Sequence, residues 1–146
     1  MTPLEMENAL DALPHGPSFR FVDELVCLIP GQRGEGRYTV RGDEAFLTGH
    51  FPGNPLLPGV ILIEALAQLG GVVAQSDPAL APLVDLKLTA VRGAKVTGSA
   101  VPGEVLTLLA EVAGRMGHLV QVQGEVRVGK RVVLTAQITL SGTPGG

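Results

Sequence analysis

Several features are scarce in this sequence of 146 residues, and each shortage excludes a class of protein. The single cysteine, Cys27, excludes an internal disulfide and fits a reducing compartment, where we expect a buried thiol that behaves as a small hydrophobe. Lysine and arginine are scattered without a basic run, and the formal net charge is -3. Nothing in this charge pattern indicates a nucleic-acid partner.

Targeting segments and long apolar runs are also missing. The N-terminal stretch MTPLEMENALDAL has neither the basic region nor the apolar core of a signal peptide. The longest apolar stretch, Val60 to Ala74, is interrupted by Glu64 and Gln68 and is too short to span a bilayer. We therefore expect a cytoplasmic protein without membrane association, folded over residues 1–146 as one domain.

The sequence does contain one strongly helical segment among strands. A short helix is predicted from Thr2 to Pro14, and a long one from Pro58 or Gly59 to Gln75. The long helix is apolar around nearly its whole circumference, which predicts burial. Strands are predicted at residues 18–29, 37–42, 83–96, 104–114, 119–128 and 131–140, with a turn at residues 30–36 and a frayed tail at 141–146. The last two strands alternate cleanly between apolar and polar residues. This order favours an α+β fold whose antiparallel sheet curls around the helix, with a second subunit covering what remains open.

A narrow polar stripe interrupts the long helix. Glu64 and Gln68 are four residues apart and share a face, and Gly71 and Gln75 extend the same line. The stripe could be the solvent face, or Glu64 could be a buried residue satisfied by structural hydrogen bonds. A chemical interpretation is that apolar neighbours desolvate the Glu64 carboxyl, raise its pKa and let it act as a general acid.

Two features that precede Glu64 favour the chemical interpretation. His50 lies in a loop stiffened by three prolines, and a histidine can serve as a base. The first backbone N–H groups of the helix, near Gly59, form a positive-ended site suited to an oxyanion. An acid, a base and an oxyanion site within one short stretch form a catalytic constellation.

The stretch GHFPGNPLLPGVILIEALAQ, Gly49 to Gln68, resembles a known family motif. It matches every fixed position of H-F-P-G-x-P-x-x-P-G-V-x-x-x-E-A-x-A-Q, the motif of the β-hydroxyacyl-acyl carrier protein dehydratases of type II fatty-acid synthesis. The segments LPHGPSFRFVD, residues 13–23, and VPGE, residues 101–104, resemble two further motifs of that family, L-P-H-R-Y-P-F-x-x-V-D and V-P-G-D.

This resemblance implies a hotdog fold and the reversible dehydration of (R)-3-hydroxyacyl to trans-2-enoyl thioesters on acyl carrier protein. It implies catalytic roles for His50 and Glu64, with no metal and no cofactor. It also implies that two protomers share each active site, in homodimers that often assemble into hexamers as trimers of dimers. The substrate-binding positions it assigns are Gly59, whose amide polarises the thioester, Gln68, which orients Glu64 or a water, Phe51 and Val60.

The chain departs from the family at Gly16-Pro17-Ser18, where Arg-Tyr-Pro is usual, and at Ala94, where an aromatic residue is usual. The next residue, Lys95, aligns with a basic position of the family. Lys95 and Arg92 are the candidates for docking an acidic carrier protein, and a bulge at Gly93 would bring both to one rim.

The other histidines are given no chemical role. His15 is predicted to cap or pack at the end of the first helix, and His118 to be exposed on a turn. Two other functions use the same fold: an acyl thioesterase with its carboxylate on the central helix, and a non-catalytic protein that binds acyl thioesters. The first would release free acid, and the second would bind acyl groups without turnover.

Overall fold

The computed structural model describes residues 2–144. Two α-helices and two 3₁₀ turns, Pro17–Phe19 and Ala45–Thr48, accompany the strands. In chain order the elements are α1 (Pro3–Asp11), β1 (Glu24–Ile29), β2 (Arg33–Thr39), α2 (Gly59–Gln75), β3 (Leu83–Val96), β4 (Val105–Met116), β5 (Leu119–Val128) and β6 (Arg131–Pro144). Helix α1 begins as predicted, because the Thr2 hydroxyl accepts the Glu5 N–H at 3.1 Å and Pro3 takes the first helical position.

The strands form one antiparallel sheet in the order β1-β2-β4-β5-β6-β3. Helix α2 lies against one face and contacts every strand from β2 to β6, while α1 packs on β1. On β4 the residues facing the helix, Leu106, Leu108 and Ala110, are buried, and the residues between them are more exposed. The sheet therefore curls around the central helix, which confirms the predicted α+β hotdog arrangement.

Two glycines allow helix α2 to approach the sheet, because neither brings a side chain into the contact. A β-carbon added at Gly124 on β5 would lie 2.7 Å from Leu66 Cδ1. One added at Gly70 on α2 would lie 2.9 Å from Val122 Cγ1. Both distances are shorter than ordinary carbon contacts, so the position of the helix against the sheet depends on these glycines.

The prediction for residues 18–29 is wrong in its first half. The strand begins at Glu24, and the preceding residues form a 3₁₀ turn followed by an irregular segment. The backbone there is satisfied by a side chain of α2 instead of a neighbouring strand: Gln68 accepts the Phe21 N–H at 2.8 Å and donates to the Phe19 carbonyl at 2.9 Å. Local pattern could not reveal this contact, because its partners are almost fifty residues apart.

The predicted second strand, residues 37–42, lies too late in the chain. Strand β2 covers Arg33–Thr39, so Gly34 belongs to a strand and not to the predicted turn. A β-carbon at Gly34 would lie 2.9 Å from Val73 Cγ2 on α2. The glycine therefore makes room for the helix within a strand, where the sequence suggests only a turn.

Two smaller predictions are also wrong. Cys27 is exposed, not buried, because the β1–β2 register shifts between Leu25 and Cys27. The supposedly frayed tail continues β6 as far as Pro144, which pairs with Leu83; residues 145–146 lie outside the described part of the chain. His118 is exposed on the β4–β5 turn, as predicted.

Strand β3 forms one edge of the sheet and leaves apolar side chains exposed. Val91 and Val96 project from it, and Val60 at the start of α2 is 70% exposed. The helix is thus not buried on all sides within a single chain, although most of its residues are. No helix of residues 2–144 is both long and apolar enough to cross a membrane.

Candidate active site

A cavity of about 860 Å³ follows α2 along almost its full length. The predicted polar stripe lines this cavity, since Glu64, Gln68, Gly71 and Gln75 all face it. The interpretation of the stripe as a solvent face is therefore wrong. The remaining walls come from α1 with the segment after it, from the apolar side of α2, from β3 and from one residue of β6. They are mainly apolar: Ala9, Ala12, Leu13, Pro14, His15, Phe19, Val60, Ile61, Ala67, Val72, Leu83, Asp85, Leu86, Lys87, Leu88 and Leu140.

Glu64 places a carboxyl in the wall of this apolar cavity. Its side chain is only 20% exposed, and its neighbours Ile61 and Ala67 are buried. The contact that the structure gives the carboxyl is with His15, whose Nε2 lies 3.4 Å from Oε1. The carboxyl thus keeps hydrogen-bonding capacity on the cavity side, which a catalytic acid requires.

His15 is the site residue that sequence reasoning missed. The sequence assigns it a capping or packing role, whereas the structure places it in the cavity wall beside Glu64. The signal was its position inside the motif-like segment LPHGPSFRFVD. Its contact with Glu64 joins residues 49 positions apart and could not be read from local spacing.

The two glutamines of the stripe hold backbone segments in place. Gln68 bonds to the backbone of Phe19 and Phe21, and Gln75 pairs with both the N–H and the carbonyl of Leu83, at 3.0 and 2.6 Å. The predicted role of Gln68 in orienting Glu64 is not seen, because its amide is directed to the turn before β1. Gln68 instead fixes the segment that forms one wall of the cavity.

His50 is held in the tautomer that a base needs. Its Nδ1 lies 2.9 Å from the carbonyl oxygen of Leu56, and the Leu56 N–H donates to the His50 carbonyl at 2.8 Å. A carbonyl can only accept, so Nδ1 carries the proton and Nε2 of the neutral ring keeps its lone pair. The ring stacks on half-exposed Phe51 with centroids 4.1 Å apart.

Within one chain, His50 and Glu64 are not brought into the same cavity. Among the described residues, neither His50 nor Phe51 lines the cavity that holds Glu64. Val60 lines its edge, with most of its side chain exposed. The acid and the base therefore face different surroundings in a single chain.

The N-terminus of α2 begins at Gly59, with Pro58 as the preceding cap residue and no side-chain cap. The N–H groups of Ile61 and Leu62 bond to the Pro58 carbonyl, whereas those of Gly59 and Val60 precede the first intrahelical bonds. A β-carbon at Gly59 would lie 3.1 Å from Val96 Cγ2, so glycine also permits the close approach of β3. The helix start therefore presents free donors and a positive dipole end.

Arg92 and Lys95 share the outer face of the sheet, because the strand contains the predicted bulge at Gly93. Arg92 pairs with Gln137 and Lys95 with Thr135, and the register shifts between them at Gly93, whose φ is +56°. Residues 135 and 137 are two apart on β6 and point to the same side, so their partners do too.

No group of three or more histidine, cysteine, aspartate or glutamate residues suited to a metal ion occurs within residues 2–144.

A family model described as FabA-like domain matches residues 13–137. The chain belongs to the FabA-like family. This FabA-like chain is 37% identical over 136 residues to the 3-hydroxyacyl-[acyl-carrier-protein] dehydratase FabZ of Anaeromyxobacter sp., an alignment covering 91% of the chain and 86% of the relative. It is 33% identical over 140 residues to the enzyme of the same name from Chloroflexus aggregans, covering 96% of each.

Solved structures share the fold of this FabA-like chain at lower identity. The dehydratase heterocomplex ApeI:P from Xenorhabdus doucetiae matches with a TM-score of 0.76 and 18% identity, over 97% of this chain and 91% of that one. A hypothetical thioesterase with coenzyme A from Streptococcus pneumoniae matches with a TM-score of 0.64 and 15% identity, over 83% and 85%. At these identities the likeness establishes the hotdog fold alone.

Proposed function

We propose that this FabA-like chain catalyses the reversible dehydration of (R)-3-hydroxyacyl to trans-2-enoyl thioesters on acyl carrier protein, in cytoplasmic fatty-acid elongation, as a single hotdog dehydratase domain. The names and identities of its FabZ relatives support this reaction. The observation that carries the proposal is the carboxyl of Glu64 in an apolar cavity beside the free helix start at Gly59. The tautomer of His50 supplies the matching base.

In the proposed mechanism, Nε2 of His50 removes the proton from the α-carbon of the substrate. The electron pair moves toward the thioester oxygen, which the Gly59 N–H and the dipole of α2 stabilise. As the double bond forms, the C–O bond at the β-carbon breaks and Glu64 donates its proton to the departing hydroxyl, which leaves as water. The thioester already acidifies the α-carbon, so the reaction needs no metal and no cofactor.

The proposed active site is shared between two protomers. His50 and Glu64 of one chain do not meet in one cavity, which supports a site in which a second copy brings its His50 to this Glu64. The exposed edge of β3, with Val91 and Val96, and the exposed side chain of Val60 form apolar surface that a second copy would cover. We propose a homodimer as the minimal assembly and a trimer of dimers as the larger form.

We propose that Arg92 and Lys95 dock the carrier protein. Acyl carrier proteins are acidic, whereas this chain has a net charge of -3, so attraction requires a local basic site. The two side chains share one face of β3, and the residue after Lys95, Val96, contacts the start of α2 at Gly59.

The reaction itself is tested with a crotonyl thioester, whose hydration removes the absorbance of the conjugated enoyl group. The purified protein should hydrate it, and the product should be the 3-hydroxyacyl thioester. Free acid as the product would identify a thioesterase. Tight binding of the acyl thioester without turnover would identify a non-catalytic binding protein.

The shared site is tested by mixing two inactive variants, His50→Ala and Glu64→Gln, under conditions that allow subunits to exchange. In a mixed dimer one site collects both changes and the other collects none, so activity should reappear. His118→Ala, at an exposed turn, is the matched control and should stay active alone. Mixed dimers that form but remain inactive would show that each site is built from one chain.

A further inference from the structure

His15 and Glu64 form a contact that the proposed mechanism does not yet use. His15 follows α1, and its Nε2 lies 3.4 Å from Glu64 Oε1, with both side chains about three-quarters or more buried. This separation is longer than a hydrogen bond of about 3 Å. Catalytic hydrogen bonds are often long before substrate binds and tighten in the complex.

The segment that carries His15 is attached to the same helix face as Glu64. The His15 ring lies nearly parallel to that of Phe19, with centroids 6.4 Å apart. The Phe19 carbonyl accepts a hydrogen bond from Gln68, which lies one helical turn beyond Glu64. The segment that carries His15 is therefore tied to α2 next to Glu64 through the Phe19 carbonyl and is not a free loop.

The two ring nitrogens of His15 differ in their surroundings. Nδ1 is buried and has no hydrogen-bond partner among the described residues, whereas Nε2 faces the Glu64 carboxyl. A proton on Nδ1 would be buried without an acceptor, which is costly, whereas a proton on Nε2 has the Glu64 carboxyl 3.4 Å away as its nearest acceptor. The neutral ring therefore carries its proton on Nε2, the opposite tautomer to that of His50.

We propose that His15 is a positioning residue for Glu64, with its Nε2–H donating to Oε1. This inference rests on the proposed dehydratase function. With Oε1 occupied by a donor, the acidic proton of Glu64 resides on Oε2, which is left for the departing hydroxyl. The same N–H stabilises the carboxylate that forms once the proton has left, so its contribution grows during the reaction.

The test compares three substitutions in the full-length protein, with hydration of a crotonyl thioester as the assay. His15→Gln keeps an N–H donor at a reach similar to Nε2, His15→Asn carries the same amide on a shorter side chain, and His15→Leu keeps apolar bulk without a donor. His15→Leu and His15→Asn should lower kcat about 10- to 100-fold, the range typical of residues that orient a functional ligand, with KM nearly unchanged. His15→Gln should recover most of kcat.

Other results would overturn the inference. Wild-type kcat in His15→Leu would show that Glu64 needs no partner. Equal losses in all three variants, with lowered melting temperatures, would assign His15 to packing. A wild-type protein that fails to hydrate the thioester at all would instead contradict the proposed function, so the two failures are distinguishable.

Discussion

Glu44 and Glu64 are two partly or fully buried carboxyls with opposite surroundings. Glu44 is 6% exposed, and its oxygens accept from the Tyr38 hydroxyl at 2.6 Å, the Gly42 N–H at 2.6 Å and the Arg41 N–H at 3.2 Å. Glu64 faces a cavity, with His15 at 3.4 Å. A carboxyl that accepts hydrogen bonds from surrounding protein groups stabilises the fold. A carboxyl in a cavity whose lone pairs have few protein partners is available for chemistry.

The electrostatics of the Glu44 cluster follow from the same bonds. Burial alone would raise the pKa of Glu44, but hydrogen bonds from Tyr38 and from backbone N–H groups outweigh it and hold that pKa below its usual value. Burial, followed by the bond to Glu44, raises the pKa of Tyr38 well above its usual range. The pair therefore stays as carboxylate and neutral phenol at neutral pH.

The largest expected effect is at Glu64. Glu64→Gln should lower the rate of dehydration by about two to four orders of magnitude, because the isostere cannot donate a proton. The unfolding free energy should stay level or rise, since a neutral group replaces an acid in an apolar wall. Activity is measured with a 3-hydroxyacyl thioester and stability by urea unfolding. The control, Glu111→Gln on the exposed side of β4, should change neither.

Glu44→Gln should have the opposite effect to Glu64→Gln, with lower stability and nearly unchanged activity. The amide cannot accept from all the donors that surround it, so the unfolding free energy should fall by about 1–3 kcal/mol. The activity per folded molecule should remain close to that of wild type, because Glu44 does not line the cavity. Tyr38→Phe is a useful partner variant, since it removes one donor from the same cluster. A large loss of kcat in Glu44→Gln would remove the distinction between the two acids.

The stabilisation by Glu44 should also depend on pH in a known direction. Its pKa is lower in the folded than in the unfolded chain, so its contribution is fully present above the ordinary value of 4.5 and is lost as the pH falls through the folded pKa. The difference in unfolding free energy between wild type and Glu44→Gln should be constant from neutral pH down to about 5 and shrink below it. A difference that grows on acidification would contradict this assignment.

The smallest effect is expected at Lys95, which is near neither Glu44 nor Glu64. Lys95→Glu should raise KM for carrier-bound substrate by a factor of about five, the scale of an exposed ion pair, with kcat nearly intact. A small thioester without carrier should be turned over unchanged, and the effect should shrink with added salt. Lys130→Glu, on the exposed β5–β6 turn, is the charge-matched control. Equal losses on both substrates would place Lys95 in the site or the fold.

Regular elements could be predicted where local pattern and packing agree. The bounds of β3 and β5 match the prediction because the residues that end these strands lie directly beside them in the sequence. The segment before β1 could not be predicted, because its backbone partner is Gln68 on a distant helix. Gly34 suggests a turn in the sequence, yet its position in β2 follows from the space that Val73 occupies.

The candidate site divides in the same way. His50, Gly59 and Glu64 lie in one contiguous motif, so the sequence could nominate them together. The role of His15 required the fold, because it depends on a contact between the end of α1 and the face of α2. The hydrogen bonds of Gln68 to the backbone of Phe19 and Phe21 also required the fold. The sequence could therefore identify Gln68 as a site residue but not its partners.

The glycines beneath α2 limit how this chain can change its substrate range. A side chain at Gly124 would meet both Leu66 on α2 and the Leu109 carbonyl on β4, and one at Gly70 would meet Val122, so neither position can take a larger residue without moving the helix or the sheet. The opposite wall has no such restriction, since it is built from small and flexible side chains such as Ala9, Ala12 and Leu86. Single replacements there should change the length of the acyl chain that the proposed dehydratase accepts, without altering the chemistry.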